Sequence, residues 1–305
     1  MSPLLSVEHL SISFIQYDRG TSRRILPAIR DLDLTIDRGQ VAAVVGSSGS
    51  GKSLLAHGIL GILPYNAHME GSITYDGAPL TPKRAAALRG REIVLVPQSV
   101  GYLDPLMKVG PQVGRDKKAV RAVLNRYGLG PETEGLYPFQ LSGGMARRVL
   151  ISTAVAASPA LVIADEPTPG LDARAAGRIL GHFRELADAG AGVLLITHDL
   201  ELALTIADKV AVFYAGETVE EAPAGDFDRL EDLRHPYTRA LWRALPQHGF
   251  HPIPGTQPYP GALPEGCPFA PRCPKRTAEC GGEVPYRPLD GGFVRCLHPE
   301  RGNAS

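Results

Sequence analysis

The chain reads as an α/β protein: a mostly parallel core sheet carrying a phosphate-binding loop, with an antiparallel edge sheet, a helical insertion and a proline- and cysteine-rich C-terminal extension. Three observations predict this. Val41-Ala42-Ala43-Val44-Val45 runs into Gly46-Ser47-Ser48-Gly49-Ser50-Gly51-Lys52-Ser53 and then into the helix-prone Leu54–Leu60, the strand–loop–helix layout that the pattern GxxxxGK[ST] requires. Three further short runs, Ile93–Val96, Leu161–Ala164 and Val193–Thr197, have the unbroken hydrophobicity of parallel strands buried on both faces. Beyond Leu245 the composition shifts: 12 of the 27 prolines fall in the last 60 residues, where long helices and a conventional sheet are not expected.

The remaining elements follow in chain order. Alternating apolar and polar positions at Leu5–Phe14, Asp31–Ile36 and Ser72–Tyr75 predict an antiparallel edge sheet near the phosphate-binding loop. Few strand-like runs occur between Gln98 and Leu141, which reads as the helical insertion. Leu141-Ser142-Gly143-Gly144-Met145 then opens a helical stretch, Ala146–Ala157. Helices are expected over Asp172–Ala189 and Asp199–Ala207, with Lys209–Ala215 as a last core strand.

The loop of Gly46, Ser47, Ser48, Gly49, Ser50, Gly51, Lys52 and Ser53 predicts nucleoside triphosphate binding. Its glycines let successive N–H groups converge on phosphates, and the following helix adds its positive dipole end. Lys52 would reach the β- and γ-phosphates, and the Ser53 hydroxyl would ligate Mg²⁺. About a hundred residues later, Leu161–Ala164 ends in Asp165-Glu166. Asp165 is placed to hold Mg²⁺ directly or through water, and Glu166 is the candidate general base for the attacking water. Ser142, Gly143 and Gly144 offer a second set of exposed N–H donors at a helix start. One nucleotide does not need two such sites from one chain. Two chains head to tail would use both.

With these motifs in chain order, the sequence resembles the ATP-binding-cassette (ABC) ATPases. The resemblance implies a P-loop NTPase (RecA-like) ABC ATPase core over residues 1–235, with a helical subdomain at about 98–145. It implies a Q-loop glutamine in Gln98, touching Mg²⁺ and the attacking water. Pro169-Gly170-Leu171-Asp172 matches the family's D-loop, which places Asp172 at the nucleotide dimer interface, and His198 matches the switch histidine that contacts the γ-phosphate. Tyr17 and Phe14 both lie where an adenine-stacking aromatic is expected. Within the family the chain is most similar to the oligopeptide, dipeptide and nickel importer ATPases. Met145 at the end of the signature, Leu103–Gly110 after Gln98, and His235-Pro236-Tyr237-Thr238-Arg239-Ala240-Leu241 followed by Leu245-Pro246 carry that similarity. Residues 236–305 then form the subfamily's C-terminal extension.

That extension holds all four cysteines, Cys267, Cys273, Cys280 and Cys296, with gaps of five, six and fifteen residues. An expected cytosolic location argues against disulfides, and four thiolates in a short, poorly helical segment suit a metal centre. The resemblance implies a [4Fe-4S] cluster. A Zn²⁺ site with four cysteine ligands is the alternative, although the closely paired cysteines usual for zinc are missing.

Composition narrows the partners. Of 305 residues, 44 % are hydrophobic, enough for a sizeable core, and 32 basic residues balance 32 acidic ones, giving no electrostatic footprint for nucleic acid. No apolar run approaches the roughly 20 residues of a membrane span, and Met1-Ser2-Pro3-Leu4-Leu5 lacks the layout of a secretory signal. The resemblance therefore implies an ATP hydrolase held peripherally on the cytoplasmic face of the cell membrane by transmembrane permease subunits. It also implies pairing with a second, different ABC ATPase subunit, and an extracytoplasmic binding protein that supplies the solute. The alternatives are the ATPase subunit of an ABC exporter or of a non-transport ABC complex. The missing heptads and charge blocks between the motifs count against a DNA-repair type.

Overall fold

The computed structural model describes residues 2–17, 23–47 and 49–300. The predicted edge strands form and run longer than the alternation suggested. β1 (Leu5–Tyr17) pairs antiparallel with β2 (Arg23–Ile36) through a register interrupted by bulges. β3 (Val41–Gly46) is buried at every residue and leads through the phosphate loop into α1 (Lys52–Leu60). β4 (Ala67–Tyr75) returns to the free side of β1, with the two-residue β5 (Ala78–Pro79) beside it. Then α2 (Pro82–Leu88), capped by the Thr81 side chain, leads to β6 (Ile93–Val96).

Residues 98–145 contain no strand among the described residues. They hold α3 (Val109–Val113), α4 (Lys117–Arg126), three short 3₁₀ turns and the start of α5 (Gly143–Val155). α5 begins three residues earlier than the apolar stretch indicated, because Ser142 accepts the Met145 N–H as its N-cap. β7 (Leu161–Asp165), α6 (Ala173–Asp188), β8 (Gly192–Thr197), α7 (Leu200–Leu204) and β9 (Lys209–Tyr214) complete the core. Asp172 and Asp199 cap α6 and α7 with their carboxylates.

The sheet runs β5-β4-β1-β2, then β10 (Glu217–Pro223), then β9-β3-β8-β7-β6. From β9 to β6 all pairings are parallel. Because side chains alternate across a strand, β3 feeds two cores. Val41, Ala43 and Val45 face the one containing α5 and α6, while Ala42 and Val44 face α1 and the edge sheet. Helices thus cover both faces, which is why the parallel strands are apolar throughout. The order β3-β8-β7-β6 also brings the C-terminal ends of four strands side by side, where ligands of open α/β sheets sit.

The extension departs from expectation in one respect. It contributes a short helix, α8 (Pro236–Arg243), but also a real hairpin, β11 (Tyr286–Leu289) and β12 (Gly292–Arg295), which lengthens the sheet by pairing β12 with β10. Asp290 and Gly291 form its two-residue turn with φ of 46° and 80°, the geometry that an Asp-Gly pair supplies. Proline is tolerated because β11 is an edge strand. Buried charges fix the hairpin and α8 to the core. Glu220, fully buried on β10, accepts the Arg234 and His235 N–H groups at 2.9 and 2.8 Å. Arg295 of β12 reaches Asp31 and Asp33 of β2 at 2.7 and 3.3 Å.

Candidate functional site

The phosphate loop uses its glycines for different reasons. A Cβ on Gly46 would lie 2.5 Å from the Phe213 carbonyl oxygen, so the strand end needs glycine for close packing. Gly51 has φ +95°, a left-handed conformation that favours glycine, and a Cβ there would lie 2.8 Å from the Ala28 carbonyl oxygen. Lys52, only 6 % exposed, donates to the Gly46 and Ser47 carbonyls at 2.7 and 2.9 Å. Burial lowers its pKa, an effect opposed by the Glu166 and Asp165 carboxylates. Lys52 is thus a held cation whose carbonyl partners phosphate oxygens can replace. Ser48, one of the expected loop donors, lies outside the described residues.

Glu166 stands on the same cleft, whose volume is about 280 Å³ and whose other walls include Gly49, Gly51, Lys52, Ser53 and Gln98. Asp165 ends β7 and is 5 % exposed. Its Oδ1 is buried without a hydrogen-bond partner; burial raises its pKa, and the nearby Ser53 hydroxyl opposes the rise. An orphaned buried carboxylate oxygen next to a serine hydroxyl, with the Gln98 amide on the same cleft, is an all-oxygen donor set that fits Mg²⁺. Glu166 follows with φ 47°, a left-handed backbone rare outside glycine. Its N–H donates to the Ile196 carbonyl at 2.9 Å. Its two carboxylate oxygens lie 2.9 Å from His198 Nδ1. His198 itself is 61 % exposed at the rim after β8.

Other expected residues lie outside this cleft. Ser142 and Gly143 are exposed on the surface, and a Cβ on Gly144 would touch Leu171 at an ordinary 3.7 Å. The Asp172 carboxylate accepts the Ala175 N–H at 2.8 Å, so capping α6 is its role within the chain. Tyr17 is 67 % exposed at the end of β1, with the Arg23 guanidinium 5.6 Å from its ring centroid. Phe14 packs against the second core, which leaves Tyr17 as the freer aromatic.

The four cysteines come together. Cys267, Cys273, Cys280 and Cys296 line one small cavity, with His298 at its edge. Burial pushes the Cys267 thiol up to about 11 and the Cys296 thiol up to about 12, and raises Cys273, so these sulfurs need a cation to ionise at neutral pH. Among the described residues only His9, Asp31 and Asp33 place three ligand atoms within 4.8 Å of one another. The His9 trio is already served by Arg295, which pairs with both aspartates.

Two functional contacts were missed from sequence. Arg147, in the helix behind the Ser142-Gly143-Gly144 segment, is 3 % exposed and donates to the Pro97 and Glu166 carbonyls. Its helical phase is the signal: Arg147 shares a face with Leu150 and Ile151, both buried. The other is Gln257, whose side-chain oxygen accepts the Ser47 hydroxyl. Arg24 and Arg30 of β2 hold the same stretch by donating to the Gly261 and Pro264 carbonyls. The extension, remote in sequence from the phosphate loop, lies against it in space, and nothing in local pattern reveals such a contact.

Comparisons with known proteins agree with this geometry. Residues 29–169 match the family described as ABC transporter, and residues 219–280 match the oligopeptide/dipeptide transporter C-terminal region. The dipeptide transport ATP-binding protein DppD of Bacillus subtilis is 36 % identical over 324 residues, covering 97 % of this chain and 95 % of that protein. The oligopeptide transport ATP-binding protein OppD of Mycobacterium tuberculosis is 38 % identical over 306 residues. That alignment covers 92 % of this chain but 49 % of the relative, so the chain spans about half the length of the mycobacterial protein. Among solved structures, the dimeric ATP-binding cassette MJ0796 in a post-hydrolysis state bound to ADP and Pi superposes with TM-score 0.63 at 25 % identity. It covers 72 % of this chain and 98 % of its own.

Proposed function

Since the chain belongs to the ABC transporter ATP-binding proteins, we propose that it is the ATP-hydrolysing subunit of an importer for di- or oligopeptides or related small solutes, nickel and metal chelates included. The observation that carries this is the convergence of Lys52, Ser53, Glu166 and Gln98 on one cleft, with the buried Asp165 preceding Glu166 at the end of β7. The relatives' names supply the solute class.

The chain's residues divide the work. Loop N–H groups and Lys52 bind the β- and γ-phosphates, with Lys52 exchanging its carbonyl partners for phosphate oxygens. Ser53, Asp165 and Gln98 would hold Mg²⁺, which would supply charge neutralisation for phosphoryl transfer. Glu166 orients the attacking water and takes its proton. His198, bonded to both Glu166 oxygens, fixes the carboxylate from the rim. The exposed Ser142-Gly143-Gly144 segment serves the nucleotide of a second ATPase subunit. We assign that subunit to a different chain, which makes a heterodimer. Asp172 lies on the same shared surface, and Tyr17 supplies the adenine stack.

The remaining assignments follow from surface and extension. Tyr102, Leu106, Met107 and Phe139 are exposed apolar side chains of the helical region and suit docking on transmembrane permease subunits. No helix among the described residues is long and apolar enough to cross a membrane; in this reading those partners hold the chain at the cytoplasmic face. The solute reaches the permease from an extracytoplasmic binding protein. Residues 1–235 act as the ATPase domain and 236–305 as the extension, in which Cys267, Cys273, Cys280 and Cys296 would hold a [4Fe-4S] cluster. Their shared cavity supports a common metal centre, and the lack of closely paired cysteines in the sequence favours the cluster over zinc.

The experiment is Glu166→Gln in the full-length chain with its permease. ATP binding stays intact, turnover falls by about 10²–10⁴-fold, and an ATP-bound closed dimer accumulates. Hydrolysis near the wild-type rate would sink the assignment of Glu166 as base.

A further inference from the structure

Arg147 takes no part in the chemistry above, yet it is among the most deeply buried charges in the molecule, 3 % exposed. A guanidinium at that depth needs its donors satisfied, because an unpaired buried cation is costly. Its donors go to main-chain carbonyls. Nη1 donates to the Pro97 carbonyl at 2.7 Å and Nη2 to the Glu166 carbonyl. The first carbonyl immediately precedes Gln98, and the second belongs to the candidate base. Pro97 follows β6, Glu166 follows β7, and Arg147 itself sits in the first turns of α5. One rigid planar fork therefore ties three elements together, which a flexible point donor such as lysine cannot do.

The neighbouring side chain anchors the same helix on another side. Arg148 donates to the Gly144 carbonyl at 3.2 Å and to the Tyr127 and Gly128 carbonyls at 3.1 and 2.9 Å. The segment bearing Ser142-Gly143-Gly144 is thus firmly joined to the helix from which Arg147 reaches the hydrolytic site. Glu166 needs such support. Its φ of 47° is a strained conformation that persists only where the surroundings enforce it. The enforcement comes from three bonds: its N–H to Ile196, its carboxylate to His198 and its carbonyl to Arg147.

We propose that Arg147 is a positioning residue for hydrolysis, holding Glu166 in its strained pose and the Gln98 loop beside it from the helix that carries the Ser142-Gly143-Gly144 segment. Any displacement of that segment is then felt by the chain's own base, which links the two nucleotide sites of a dimer through one side chain. The proposal rests on the reading of Glu166 as general base.

The test uses the full-length chain assembled with its permease and compares wild type, Arg147→Met, Arg147→Lys, Glu166→Gln and the Arg147→Met/Glu166→Gln double variant. For each, kcat, KM for ATP and the thermal midpoint are measured. Arg147→Met is expected to lower kcat by about 10–100-fold, the scale of a small misplacement at a reacting centre, while KM shifts less than about threefold. Arg147→Lys recovers only part of the loss. In the Glu166→Gln background the same methionine change leaves the slow residual single-turnover rate within about threefold, because no base remains to be positioned. A kcat for Arg147→Met within twofold of wild type overturns the proposal. So does a KM rising in step with the loss, or an equal fold-loss in the Glu166→Gln background, which general structural damage gives. If Arg147→Met does not fold, Arg147→Lys runs through the same cycle. A fully active Glu166→Gln complex brings down the underlying assignment and this proposal with it. A silent Arg147→Met beside a dead Glu166→Gln brings down the proposal alone.

Discussion

His235 shows how one residue ties pH to the integrity of the extension. It precedes α8, accepts the Tyr237 N–H on Nδ1 at 2.9 Å, and is 1 % exposed. Burial depresses its pKa from 6.5 to about 3. A group whose pKa is lowered by folding stabilises the fold above its unfolded value and ceases to do so as pH falls. The unfolded chain protonates below pH ~6.5 while the folded imidazole stays neutral, so stability drains between about pH 6.5 and 3, by roughly 5 kcal/mol at most. Glu217, Glu220 and Glu221, whose pKa values burial raises, act in the opposite sense over the acidic range. Denaturant unfolding at pH 7 and pH 5 isolates the histidine: His235→Asn keeps a cap acceptor and should lose less stability between the two than wild type. Equal losses would contradict the assignment. The same scale shows what sequence can reveal of a site. Lys52, Asp165 and Glu166 were legible because motif spacing fixes them. Gln257 was not, because its contact with Ser47 depends on where a proline-rich segment happens to lie.

At the scale of elements, α5 does two jobs with one helix. Its capped start exposes Ser142 and Gly143 to a partner, and its next turn buries Arg147 behind Glu166. Ser142→Arg is expected to leave ATP affinity of the isolated chain unchanged within about twofold, because Ser142 does not line the chain's own cleft. Turnover by the assembled complex should still fall by about 10²-fold, as when one charge-stabilising donor is lost. Loss of ATP binding by the isolated variant would place the segment in cis. The core strands were legible because burial on both faces leaves no polar position to blur the pattern. The starts of α6 and α7 were also legible, Asp172 and Asp199 being their caps, whereas α7 ends at Leu204, three residues short of the expected Ala207. The β11–β12 hairpin escaped notice because proline count outweighed Asp290-Gly291, a turn signal that the fold in fact uses.

For the molecule as a whole, the extension is part of the ATPase fold. Glu220, Arg234 and Arg295 bind it to β10 and β2, and Gln257 brings it to the phosphate loop. A segment this short buries little apolar surface, so a metal centre gathering four cysteines would staple it. Anaerobically purified protein is expected to carry four irons per chain with a broad thiolate-to-iron absorption band. Changing any one of the four cysteines to serine should loosen the extension and weaken complex assembly while ATP binding by the core persists. Stoichiometric zinc without iron would rule the cluster out.

The central claim is that hydrolysis at this cleft drives solute inward. It is tested most directly by ATP-driven uptake in proteoliposomes holding the permease, this chain, its ATPase partner and the extracytoplasmic binding protein, with labelled di- and oligopeptides and nickel chelates as solutes. The account predicts accumulation on the ATP side that requires the binding protein and disappears with Glu166→Gln. Solute movement away from the ATP side, or uptake undiminished by Glu166→Gln, would contradict it.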